Sequence, residues 1–110
     1  MQTKSFSSIS ADKELDETAL GYDPGDYDYH YIQVLGSSSE TWSLHAKAVG
    51  SSVYAPISTL NTSVIPISGM MAVTPNDVGN VSALKIIFSD TVSGLTILVA
   101  SMNRHGLGVR

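Results

Sequence analysis

Thr41-Trp42-Ser43-Leu44-His45-Ala46-Lys47-Ala48-Val49 alternates without a break. Trp42, Leu44, Ala46 and Ala48 fall on one side of an extended chain, and Thr41, Ser43, His45 and Lys47 on the other. That is the pattern of a strand with one face on a core and one toward water. Gly50-Ser51-Ser52 then makes a tight connection and Val53–Ile57 returns, which predicts a hairpin with Thr41–Val49. Pro56 places the returning segment at a sheet edge or strand end, because proline has no N–H to give to a ladder.

Outward from this hairpin the same rhythm continues. Tyr27–Leu35 puts Tyr27, Tyr29 and Tyr31 on one face and His30, Ile32 and Val34 on the other, and Gly36-Ser37-Ser38-Ser39 closes it as a loop. Ser63–Ile67 carries Pro66 in the manner of an edge, and Met70–Val73 is a short extra strand. Thr74–Asn80 supplies turn residues, and Leu84–Ser89 and Leu95–Ser101 complete the set across Asp90–Gly94. Short strands at this spacing predict an all-β chain, a single antiparallel β-sandwich of jelly-roll-like or Ig-like form. Its core is expected to hold Trp42, Leu44, Ala46, Ile86, Phe88, Ile97 and Val99. The last two strands are apolar on both faces, so each is expected inside the sandwich or covered outside by another subunit.

The first 26 residues differ in kind. Seven of the ten acidic residues lie between Asp12 and Asp28, branched apolar residues are few, and Tyr22-Asp23-Pro24-Gly25-Asp26 reads as a turn. Ser10 is a candidate N-cap for one or two turns of helix within Ala11–Leu20. The division expected is an irregular N-terminal arm over residues 1–26, a sandwich over 27–102 and a C-terminal tail over 103–110. Phe6, Ile9, Leu15, Leu20 and Tyr22 are spaced along the arm as apolar anchors for a partner, or for the domain's own sheet edge.

At 110 residues the chain fits one domain, able to bury about 65% of the surface exposed when unfolded. It has no cysteine, so neither disulfides nor a thiolate metal site hold it. A formal charge of −4 with six Lys plus Arg argues against nucleic acid, whose binding needs clustered cations to displace counterions. Phe6, Ile9 and Ala11 are interrupted by Ser, which is not the apolar run of a secretory signal, and no stretch approaches the about 20 apolar residues of a membrane helix. A soluble, unprocessed chain is expected, with no membrane partner.

No catalytic constellation emerges. His30, His45 and His105 lack zinc-site spacing, and the serines lack a Gly-x-Ser-x-Gly setting. Asp23, Asp26 and Asp28 match no defined calcium loop and read as a solvated acidic turn. His105–Arg110 reads as a tail rather than a phosphate loop. Asn61-Thr62-Ser63 and Asn80-Val81-Ser82 match the glycosylation acceptor pattern, and without a signal segment they read as chance matches. No enzyme, metal or cofactor is implied. Tyr22, Tyr27, Tyr29, Tyr31, Trp42 and Tyr54 leave three uses open: core and rim packing, a protein interface, or a platform for sugar stacking. Met70 and Met71 serve as core filler or as adaptable contacts.

In sequence, the pattern is a strand, a hairpin around Trp42-Ser43-Leu44-His45-Ala46 with its Gly50-Ser51-Ser52 turn, and Val64-Ile65-Pro66-Ile67-Ser68-Gly69. Leu84-Lys85-Ile86-Ile87-Phe88-Ser89-Asp90 and Leu95-Thr96-Ile97-Leu98-Val99-Ala100-Ser101 follow. Over about Tyr31–Met102 that order resembles small β-sandwich virion proteins of tailed bacteriophages, the capsid decoration (cement), head-fibre and tail accessory proteins. Ala48-Val49-Gly50-Ser51-Ser52-Val53-Tyr54 lacks the Asp-Gly and Trp common in the corresponding hairpin of that group. The resemblance implies a non-enzymatic structural protein, assembled in a host cytoplasm and carried on the virion. It implies binding between major capsid protein subunits, and a homotrimer. The alternative is a carbohydrate- or receptor-binding module of a fibre or tail. Expected interface residues are Phe6, Ile9, Leu15, Leu20, Tyr22, Tyr29, Met70, Met71 and Leu98.

Overall fold

The computed structural model describes residues 1–57, 65–75 and 81–103. Their elements are β1 (Gln2–Ile9), β2 (Lys13–Leu15), α1 (Glu17–Leu20), a 3-10 turn (Pro24–Asp26), β3 (Tyr29–Leu35) and β4 (Thr41–Ala48). There follow β5 (Ala55–Pro56), β6 (Ile65–Pro66), β7 (Met70–Val73), β8 (Val81–Phe88) and β9 (Leu95–Met102). Two antiparallel sheets face each other. The first runs β1-β9-β3-β7 and the second β2-β8-β4-β5, with β6 also on β4. This is the β-sandwich expected from the strand rhythm.

The core lies between the sheets because alternate residues on the facing strands are apolar. Ile32 and Val34 of β3, and Leu95, Ile97 and Val99 of β9, meet Trp42, Leu44 and Ala46 of β4 and Leu84, Ile86 and Phe88 of β8 in one buried cluster. The β4–β5 hairpin forms with His45 opposite Pro56 and Ala46 opposite Ala55. The Ser51 amide donates to the Ala48 carbonyl at 2.9 Å to close its turn. Ala48, at the end of the alternation, is exposed rather than buried.

β8 begins three residues before the expected Leu84. Lys47 pairs with Ala83 but Ala48 with Val81, so Ser82 is an extra residue. Its hydroxyl donates to the carbonyls of Lys47 and Ala48, at 3.1 and 3.4 Å. The bulge breaks the period-2 pattern, which hides the first part of the strand from a reading by alternation.

The N-terminal segment is not an irregular arm. β1 pairs with β9 from Gln2 opposite Ser101 to Phe6 opposite Ile97, then shifts so that Ile9 faces Leu95. Ser8, at φ 56, absorbs the extra residue. The chain then crosses to the other sheet, where β2 pairs with β8 and Asp12 Oδ1 accepts the Phe88 amide at 3.0 Å. One short segment thus supplies an edge strand to each sheet. The helix is shorter and later than expected. Its N-cap is Asp16, whose Oδ1 accepts the Ala19 amide at 2.8 Å, not Ser10, and Gly21 ends it at φ 80. Leu15, Leu20 and Pro24 are buried, closing one end of the sandwich.

Gly36 is required where β3 turns away. Its φ is +145, and a Cβ there would collide with Cδ2 of the buried Leu95. The tail beyond residue 103, His105, Asn61 and Asn80 lie outside the described residues. Among the described residues no helix is long and apolar enough to cross a membrane.

Candidate interaction face

The two sheets present unlike outer faces. On the second sheet Glu14, Lys85 and His45 lie in one row across β2, β8 and β4. Tyr54, following the hairpin turn, lies over this charged surface. Its hydroxyl donates to Glu14 Oε1 at 2.9 Å, and the ammonium groups of Lys47 and Lys85 sit 5.0 and 5.6 Å from its ring centre. Burial and the neighbouring Glu14 carboxylate push the Tyr54 hydroxyl well above its ordinary pKa. This surface is therefore cross-linked by its own side chains over three strands.

The outer face of the first sheet carries no acidic side chain on its paired strands. Residues directly opposite in a ladder point the same way, so Thr3 and Ser5 of β1 lie beside Ala100 and Leu98 of β9. These in turn lie beside Tyr31 and Gln33 of β3, and Ala72 and Met70 of β7 complete the rows. Met70 is 59% and Leu98 37% exposed. Between β1, β9 and β3 the face dips into an open hollow of about 590 Å3. Free of acidic side chains and partly apolar, with Lys4 at the wall of the hollow, it is suited to contact with another protein.

The expected interface residues separate against this geometry. Tyr29, Met70 and Leu98 lie on the outer face or its rim. Leu15, Leu20 and Met71 do not: they are 0%, 3% and 6% exposed, within the domain's own core. Met71 faces inward because it pairs with Ile32. Phe6, Ile9 and Tyr22 are half-buried against the same core, and Lys13 extends its ammonium to 4.8 Å from the Phe6 ring centre. Alternation marks Leu98 as outward, but grouping it with Tyr31, Gln33 and Ala100 needs the order of the strands, which local sequence does not state.

A serine and a histidine do meet, at the end of the sandwich near the 3-10 turn. His30 Nδ1 lies 2.8 Å from Ser101 Oγ, which is also 2.8 Å from the Tyr22 hydroxyl. Ser101 is 0% and His30 3% exposed, so no substrate carbonyl reaches this hydroxyl, and the trio ties β3, β9 and the segment after α1 together. Burial holds the His30 imidazole below its ordinary pKa, against the opposing pull of a Tyr27 main-chain hydrogen bond and the Asp28 charge. Tyr22, raised by burial, stands edge-on to Tyr27 with ring centres 5.5 Å apart.

The remaining aromatic side chains are dispersed. Trp42 lies in the core, its Nε1 without a partner among the described residues, and Tyr54 occupies the opposite sheet, so the six aromatics form no single platform. Asp23 caps the 3-10 turn by accepting the Gly25 amide at 2.8 Å. No cluster of three or more metal-ligating side chains occurs among the described residues. Compared with protein-family models, curated proteins and solved structures, the chain matches none.

Proposed function

We propose that this protein is a non-enzymatic structural component of a larger protein assembly, and that it serves as a capsid decoration protein of a phage particle. The observation that carries the reading is the acid-free outer face of the first sheet, set against a second sheet whose outer face is covered by the Tyr54 network. The phage setting rests on the order of strands over Tyr31–Met102 and its resemblance to virion sandwiches. Subunits of the shell, presented in many copies, are the partner. Many weak contacts on one particle become durable through avidity. A protein that binds only the assembled shell stabilises it by linkage, by about 2.7 kcal/mol per site when free protein stands at about 100 times its dissociation constant.

The test is to mix purified protein with undecorated phage heads and to measure co-sedimentation and thermal release of the genome. Binding that raises the release temperature, and is lost in Leu98→Glu, is the expected result. No binding to any shell tested, or binding indifferent to Leu98→Glu, defeats the reading. A second reading, a carbohydrate- or receptor-binding module of a fibre or tail, draws on Tyr31 and Gln33 together lining the open hollow. A ring beside an amide is a common way to hold a sugar. Saturable glycan binding lost in Tyr31→Ala would favour it.

A further inference from the structure

We propose that the open edge of β1, over Gln2–Phe6, binds an extended acidic segment of another protein by taking it up as a fifth strand of the first sheet. The surface concerned is the edge of that sheet, not its outer face.

The edges of the two sheets are not alike. Among the described residues, β7 closes one edge of the first sheet with only four residues. In the second sheet β2 has three residues, and β5 and β6 have two each, ending in Pro56 and Pro66. Short strands and proline leave little main chain for another molecule to pair with. β1 has eight residues and no proline, and no described strand lies on its far side. Its irregularity falls between Phe6 and Ile9, so Gln2–Phe6 remains a regular run opposite Ser101–Ile97. In an antiparallel pair every second residue turns its N–H and C=O away from the neighbour. A row of donors and acceptors so spaced is matched by an extended backbone, which adds to the sheet as a strand.

Side chains decide which extended segment fits. Thr3 and Ser5 lie on the outer side with Ala100 and Leu98, whereas Gln2, Lys4 and Phe6 share the other side with Ser101, Val99 and Ile97. Lys4 is exposed and is the one charged residue of β1. Phe6 is half-buried against the core, and the Lys13 ammonium stands 4.8 Å from its ring centre. The acids that follow in sequence are engaged with the second sheet: Asp12 accepts the Phe88 amide, and Glu14 accepts the Tyr54 hydroxyl. The edge of β1 is thus locally cationic on a chain of formal charge −4. A carboxylate opposite Lys4, with an apolar side chain two residues along beside Phe6, complements both.

The charge also argues against a second copy as the occupant. Antiparallel overlap of two β1 strands over Gln2–Phe6 sets Lys4 directly opposite Lys4, and like charges so placed destabilise a ladder.

The probe is the end-blocked peptide Val-Thr-Glu-Thr-Val, whose sequence reads the same in either direction along β1. Its Glu meets Lys4 while its Val residues flank it on the same side. So short a strand binds weakly, and the titration of the full chain runs to about 5 mM, followed by amide nuclear magnetic resonance. The expected result is saturable shifts at Gln2–Phe6, with slowed hydrogen exchange at every second amide of that run. Val-Thr-Lys-Thr-Val should bind at least about threefold more weakly, the scale of one cross-strand charge pair. Val-Pro-Glu-Pro-Val, equal in charge but unable to pair, should not bind. Lys4→Glu, an exposed change, should reverse the preference between the Glu and Lys peptides.

No shifts up to the highest concentration overturn the proposal, as do shifts centred on Leu98 and Met70 rather than on β1. Equal binding of the proline peptide, or an affinity indifferent to the sign of the charge at position 4, does the same. Shell binding through Leu98 with no peptide on β1 overturns this proposal and leaves the shell reading standing. Peptide on β1 with no affinity for shells does the reverse.

Discussion

The Ser101 hydroxyl and His30 Nδ1 stand 2.8 Å apart in a site sealed from solvent, and the Tyr22 hydroxyl reaches the same oxygen. Ser101→Ala removes the group that both partners use. The expected loss is about 1–3 kcal/mol, the cost of leaving buried polar groups without a partner. Urea denaturation checks it, and a change near zero would mean that the trio contributes nothing.

The same imidazole gives the fold a pH dependence. His30 is held below its ordinary pKa by burial, so the unfolded chain binds the proton more readily than the folded one. Stability is therefore full above about pH 6.5, the ordinary histidine value, and is lost as the pH falls from there toward the folded-state pKa. Asp28, the charged group that favours the protonated ring, reduces the effect without reversing it. Melting temperatures from pH 8 to pH 5, with His30→Gln as the flattened control, measure the slope.

Truncation tests the N-terminal segment. Deleting residues 1–20 removes Leu15 and Leu20 from the core together with an edge strand from each sheet, so the shortened chain is expected not to fold. The segment is thus part of the sandwich rather than the irregular N-terminal arm expected from its composition. Leu15→Ala in the full chain should cost about 2–5 kcal/mol. A cooperative, wild-type-like melt for the truncated chain would contradict the assignment.

Gly36→Ala places a methyl group against Leu95 at a backbone angle that side chains rarely adopt. Leu95 is fully buried, and its Cδ2 must shift to admit the methyl group. The loss should be at least about 1–3 kcal/mol, read from the shift in denaturation midpoint, whereas Gly50→Ala, with open space around its Cβ, isolates the strain of a positive φ alone.

The fold was legible where alternation coincides with burial. β4 and β3 bury Trp42, Leu44, His30 and Ile32 while facing polar or aromatic residues outward, and the pattern alone finds them. β1 is a strand for a different reason. Its side chains are nearly all exposed, and main-chain pairing with β9 holds it, which a pattern of side chains does not register. β2 is three residues long, too short to show a period. Of the interaction face, Tyr29, Met70 and Leu98 were visible one by one. Leu15, Leu20 and Met71 looked equally available, because an isolated apolar residue in sequence does not disclose which side of a sheet will cover it.

The pairing of Gln2 with Ser101 bears on the order of events during synthesis. β1 leaves the ribosome well before β9 and cannot take its place until β9 has followed it. β2, one crossing later, must likewise wait for β8. Contacts this remote along the chain slow the folding search, and the strip of β9 that receives β1 stands open in the meantime. In a crowded cell that interval is when another nascent copy could donate its own β1, exchanging strands before either molecule has closed.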